Sequence, residues 1–175
     1  MLNYKLLDLE YKHVAENILN YTNEFKMDLQ SIRFWHTVKT EHFLKAIPEL
    51  QEMFDPMNLT VIDVGILYTQ ETSGVIHVDT GPETSRINIP ILNCENTVTN
   101  FYKNHGKTMV KYLPNGKSYT YIDPNSCTLI EQYTLTQPTV IRVDIPHQVN
   151  VINPALPRIV CTVFFKENID YLLEN

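Results

Sequence analysis

GVIHVDTGPETSRINIPILN, residues 74–93, decides how this chain is read. His77 and Asp79 stand two apart. On a β-strand such residues share a face and lie about 6–7 Å apart, close enough for an imidazole nitrogen and a carboxylate oxygen to meet on one small cation. The same stretch then alternates: Arg86 and Asn88 fall on one face of a strand, and Ile87, Ile89 and Ile91 on the other. A two-residue period of this kind marks a strand with one apolar face.

Outward from it, the chain continues in the same texture. After Asp55-Pro56 come NLTVIDVGILYTQ, GVIHVD, SRINIPIL, NTVTNFYK, KTMVKYL, KSYTYI, SCTLIEQYTL, TVIRVDI, HQVNVI and RIVCTVFF. Turn residues divide them at Gly81-Pro82, Asn115-Gly116, Asp123-Pro124-Asn125 and Asn153-Pro154. Short strands with no helix between them predict an antiparallel double sheet, a jelly roll spanning residues 59–166.

Residues 1–57 read differently. Leu7, Tyr11, Val14, Ile18, Tyr21, Phe25 and Leu29 recur at spacings of three and four, the stripe of an amphipathic helix. KTEHFLKAIPELQEMF follows from residue 39, with Thr40 placed to cap a helix and Pro48 expected to break it and open a second turn. The expectation is one α+β domain, mainly β, in which residues 1–57 are helical support and residues 167–175 a C-terminal tail.

Composition narrows the function. With 43% hydrophobic and 19% charged residues, the 175-residue chain suits an ordinary globular domain. Its net charge of −6 offers no broad basic surface, which disfavours nucleic acid as a partner. Cys94, Cys127 and Cys161 are widely spaced and form no C-x-x-C pair, as expected of reduced thiols. No signal-like apolar stretch opens the chain and no 18-residue apolar run occurs, so the cytoplasm is the expected location and no membrane contact is expected.

By itself H-x-D says little, since six histidines and 20 acidic residues in 175 positions give roughly 0.7 chance matches to H-x-[DE]. A second piece lies in IPHQVNVINPALPRIVCTVFF, where His147 opens one run and Arg158 begins the last, 11 residues later. The order H-x-D, then H, then R resembles the 2-oxoglutarate- and Fe(II)-dependent oxygenases, and looks closest to their prolyl-hydroxylase-like branch. The likeness extends through residues 60–166 and includes Tyr68, nine residues before His77.

That resemblance implies a double-stranded β-helix (jelly roll) in which His77, Asp79 and His147 hold Fe(II) as a facial triad, leaving coordination positions open. Arg158 would pair with the distal carboxylate of 2-oxoglutarate, with Tyr68 assisting. The implied reaction consumes O2, converts 2-oxoglutarate to succinate and CO2, and hydroxylates a C–H bond of an amino acid, peptide or small metabolite, with ascorbate as a possible reductant. Where the family often keeps a small hydroxyl residue two positions after the arginine, this chain has Val160. The alternative is a cupin-like barrel that binds a metal or small ligand without oxidation; a nucleic-acid demethylase is disfavoured by the acidic balance.

Three further features draw expectations. Arg86 and Asn88, if inside the barrel, form a candidate substrate site. Residues 103–125 carry four lysines and read as a solvated hairpin or as a flap over the mouth that favours an acidic substrate. His13, His36, His42 and His105 are expected to take no part in the chemistry, and Trp35 to pack a helix onto the sheet.

Overall fold

A computed structural model describes residues 1–24, 36–37, 39–69, 74–79, 81–112, 118–152 and 157–174. Twelve strands form two antiparallel six-stranded sheets. They are β1 (Tyr4–Leu6), β2 (His36–Thr37), β3 (Val61–Thr69), β4 (His77–Asp79), β5 (Ser85–Leu92), β6 (Thr97–Asn104), β7 (Thr108–Tyr112), β8 (Ser118–Ile122), β9 (Cys127–Tyr133), β10 (Thr139–Arg142), β11 (His147–Val151) and β12 (Arg158–Phe165). One sheet runs β1-β10-β5-β12-β3-β2 and the other β7-β8-β4-β11-β6-β9. This is the jelly roll expected, and every one of the β-rich runs after Asp55-Pro56 became a strand.

Helices back the first sheet. They are α1 (Lys12–Glu24), α2 (Thr40–Ala46) and α3 (Glu49–Glu52). Val14 and Ile18 of α1, Phe43 of α2 and Leu50 of α3 are wholly buried against Val64, Ile66, Ile87, Ile89, Cys161 and Val163. The isoleucines of β5 therefore face the helices, and Arg86 and Asn88 face the space between the sheets. Val160, Phe101, Tyr133, Ile141 and Val143 fill part of that space as a second, smaller core. Strand β12 has no exposed residue, which is why RIVCTVFF is almost continuously apolar.

The expected helical region departs from expectation at Thr40 and at Tyr4–Leu6. Thr40 is the first residue of α2 rather than its cap: Lys39 occupies the cap position, and the Thr40 hydroxyl donates to Asp63 Oδ1 at 3.2 Å. Pro48 does break the run and opens α3. Tyr4–Leu6 is a strand at the edge of the helix-backed sheet, in register with Thr139–Ile141, and the Tyr4 ring stacks on Tyr133 at 4.3 Å. The expected C-terminal tail also packs: Leu173 is wholly buried, and the Leu2 amide donates to its carbonyl at 2.9 Å. Phe25, Leu29, Trp35, the His36 side chain and the turns at Asn115-Gly116 and Asn153-Pro154 lie outside the described residues.

Candidate metal centre

Register brings the two distant histidines together. His147 at the start of β11 pairs with His77 of β4 on one side and Phe101 of β6 on the other. Their rings lie 4.4 Å apart between centroids, tilted by 50°. His77, Asp79 and His147 each offer one ligand atom within 4.8 Å of the others. Among the described residues this is the one group of histidine, cysteine and acidic side chains so arranged.

Each member is tied to the protein by the atom that a metal would not use. His77 Nδ1 donates to the Val75 carbonyl and His147 Nδ1 to the Ile145 carbonyl, both at 2.9 Å. A carbonyl only accepts, so both rings carry their proton on Nδ1 and keep the Nε2 lone pair for a cation. Asp79 Oδ2 accepts from the Arg86 guanidinium, and Oδ1 is 3.4 Å from His77 Nε2. Two imidazole nitrogens and one carboxylate oxygen, with outer atoms anchored, fit a divalent first-row metal.

Electrostatics keep the set in its metal-ready state. Burial pushes the His147 imidazole down to about 4, and the neighbouring His77 adds to the effect. Asp79 is raised by burial, but the adjoining His77 ring, which can donate to it only once protonated, the charge of Arg86 and, in acid, the charges of both histidines more than offset this, holding it well below the usual carboxylate range. At neutral pH His147 is therefore an uncharged ligand and Asp79 an anionic one.

The sheet opposite carries the two arginines. Arg86 was expected to form a substrate site with Asn88, and it does lie inside the barrel. Its guanidinium pairs with Asp79 and lies over the Phe164 ring, 5.0 Å from the centroid, and so holds the carboxylate of the candidate centre. Asn88 Oδ1 is buried with no partner and faces the barrel next to Thr162, whose wholly buried hydroxyl also has none. Arg158 is buried, and its Nε donates to Thr97 Oγ1 at 3.0 Å. Among the described residues no carboxylate lies within 4.0 Å of it.

Tyr68 is not brought to the site. It lies in the helix-side core with Val64 and Ile66 and pairs with Ile159, so its ring points away from the face that carries Arg158. Leu67 and Thr69 take the barrel side of β3 instead. His105 is exposed, with Nε2 3.2 Å from the Thr128 hydroxyl, and His13 and His42 are exposed on their helices, all apart from the centre as expected. The hairpin of β7 and β8 joins the open sheet beside β4, setting Tyr121 opposite His77 and Tyr119 opposite Asp79. Two residues of this site went unread in the sequence: Arg86 as the partner of Asp79, and Tyr119 beside the His77 ring. The one signal for the first was an arginine inward on the next strand.

No protein-family model matches the chain, and no curated protein is detectably similar to it in sequence. Solved structures do resemble it. SnoN, described as a non-heme alpha-ketoglutarate-dependent epimerase from nogalamycin biosynthesis, aligns with 94% of this chain and 78% of its own at 12% identity and a TM-score of 0.52. The same protein in complex with Fe3+, alpha-ketoglutarate and nogalamycin RO aligns with 99% of this chain and 85% of its own, at 10% identity and a TM-score of 0.50. ycfD of E. coli aligns with 79% of this chain and 35% of its own, at 14% identity and a TM-score of 0.47. At such identities the SnoN likeness is one of fold, the jelly roll shared by cupins and 2-oxoglutarate oxygenases. No helix among the described residues is long and apolar enough to cross a membrane.

Proposed function

We propose that the chain is a 2-oxoglutarate- and Fe(II)-dependent oxygenase that hydroxylates a C–H bond of an amino acid, peptide or small metabolite. The observation that carries this reading is the convergence of His77, Asp79 and His147 with both Nε2 atoms and one carboxylate oxygen left for a metal. Bound there, iron with 2-oxoglutarate and O2 supplies C–H oxidation, releasing succinate and CO2, with ascorbate keeping the metal reduced.

The chain's own residues do the positioning. His77 and His147 face the barrel with tautomers set by the strand backbone, and Arg86 turns Asp79 toward them. Arg158 supplies a buried cation for the distal carboxylate of the co-substrate. It bonds Thr97, which lies four residues along β6 from the Phe101 that faces His147, roughly 13 Å of strand. An arginine side chain and a five-carbon diacid together span such a gap. Thr162, with its unpartnered hydroxyl, stands in for the hydroxyl that Val160 lacks. Placement in the prolyl-hydroxylase-like branch rests on the runs from Arg86 and Arg158, since Tyr68 no longer contributes.

The test is succinate formation from 2-oxoglutarate with Fe(II), O2 and ascorbate, screened against amino acids and peptides. Arg158→Ala is expected to raise the 2-oxoglutarate requirement about 100-fold, because a charge-assisted contact is lost, while metal affinity barely changes. Metal binding with no consumption of 2-oxoglutarate would instead support the cupin-like reading, which Val160 favours. A product with inverted stereochemistry and no added oxygen would point to epimerisation.

A further inference from the structure

The hairpin of β7 and β8 leaves a wall beside the metal centre that the reaction above does not use. Tyr121 and Tyr119 of β8 stand opposite His77 and Asp79, while Met109 and Lys111 of β7 stand opposite Tyr121 and Tyr119. Cross-strand partners share a face, so all four continue the face that carries the metal ligands. The Tyr119 ring meets the His77 ring edge-on, 6.0 Å away at 82°. Lys111 Nζ lies 4.0 Å over the Tyr121 ring, leaning diagonally toward the row of His77. Among the described residues no carboxylate lies within 4.0 Å of that ammonium, and Met109 and Lys111 are exposed.

We propose that this wall recognises a substrate carboxylate, with Lys111 as the anion contact and the Tyr121 and Tyr119 rings as a flat floor for the adjoining apolar body. The oxygenase reading determines what then happens to the substrate, but the binding itself does not depend on it. An ammonium over an aromatic ring is attracted to its electron-rich face and gains a counter-ion when an acid arrives. The chain as a whole carries −6, so a lysine with no carboxylate partner among the described residues distinguishes this spot from a surface that repels anions. Lys111 stands two strands from Asp79, about 10 Å. A carboxylate gripped there leaves a body several bonds long to reach the centre, which selects elongated acids over compact ones.

Binding to Zn(II)-loaded protein, measured by calorimetry, tests this without any turnover. The probes are phenylpropionate and phenylvalerate with their amides, and blocked tripeptides bearing a single glutamate or glutamine. At least one acid is expected to bind about tenfold more tightly than its neutral partner, and the pair that responds distinguishes a free acid from a peptide side chain. Lys111→Glu should remove that preference, and Lys111→Met, which keeps the stem, should reduce it. Lys5→Glu, on the helix-side face of the other sheet, should leave it intact. Equal binding of acids and amides, or a preference that survives Lys111→Glu, would overturn the proposal. Failure of succinate formation with the preference intact would overturn the oxygenase reading alone.

Discussion

In the helix-backed sheet β12 is buried along nearly its whole length, whereas in the open sheet all five residues of β7 are exposed. The candidate metal ligands belong to the open sheet, and the two barrel arginines, Arg86 and Arg158, to the backed one. The division follows from chemistry. A scaffold needs apolar faces on both sides to gain burial energy, but a centre that admits a cation and a substrate must keep one side accessible. The backed sheet supplies the buried apolar layer and positive charge; the open sheet supplies the candidate ligands.

Breaking the scaffold should cost most. Phe54 is wholly buried against the Phe165 ring at 4.8 Å, and Phe54→Ala is expected to destabilise the protein by about 3–5 kcal/mol in chemical denaturation. A loss under about 1 kcal/mol would mean that the helix-side core does not support the barrel. In the open sheet, Asp79→Ala removes the anionic ligand and should weaken divalent-metal binding by more than about 100-fold, read by competition with a chromophoric chelator. Affinity within threefold of the parent would remove Asp79 from the centre.

Acid should separate the sheets next. The folded pKa of His147 is about 4 against an ordinary 6.5, so between these values the unfolded chain binds more protons. The stability this group contributes is complete above about 6.5 and is lost as pH falls toward 4, on the order of 2–3 kcal/mol for the metal-free protein. Asp79, also depressed, adds a loss at still lower pH. A flat stability between pH 6.5 and 4 would contradict the burial of His147. The smallest effect belongs to β7, where Val110 is 57% exposed and Val110→Thr should change stability by under about 0.5 kcal/mol.

The same contrast explains what was legible in advance. Alternation in SRINIPIL reported its own two faces, because one is apolar and one polar. β3 is buried on both faces at Val64, Gly65 and Ile66, so VIDVGILYT holds no record of which side Tyr68 takes, and its expected place beside Arg158 came from the family likeness alone. Two-residue spacing placed His77 and Asp79 together, and a family likeness added His147. The bond from Arg86 to Asp79 runs from one sheet to the other, and no local period encodes a contact of that kind. β1 escaped notice for a related reason: a three-residue edge strand has no periodicity, and its partner β10 lies far along the chain.

The central position of β12 has a kinetic meaning. This strand sits between β5 and β3 yet comes after every other strand in the sequence, so during synthesis the backed sheet stays split into separate pieces until Phe165 has emerged. Its pairings close long loops, and the entropy of closing them must be met before burial rewards it. Folding of this barrel is therefore slow and begins in earnest only once most of the chain has been made. Until then the edges of β5 and β3 that β12 will join lack their partner, a stretch of time in which the nascent chain is open to misassociation.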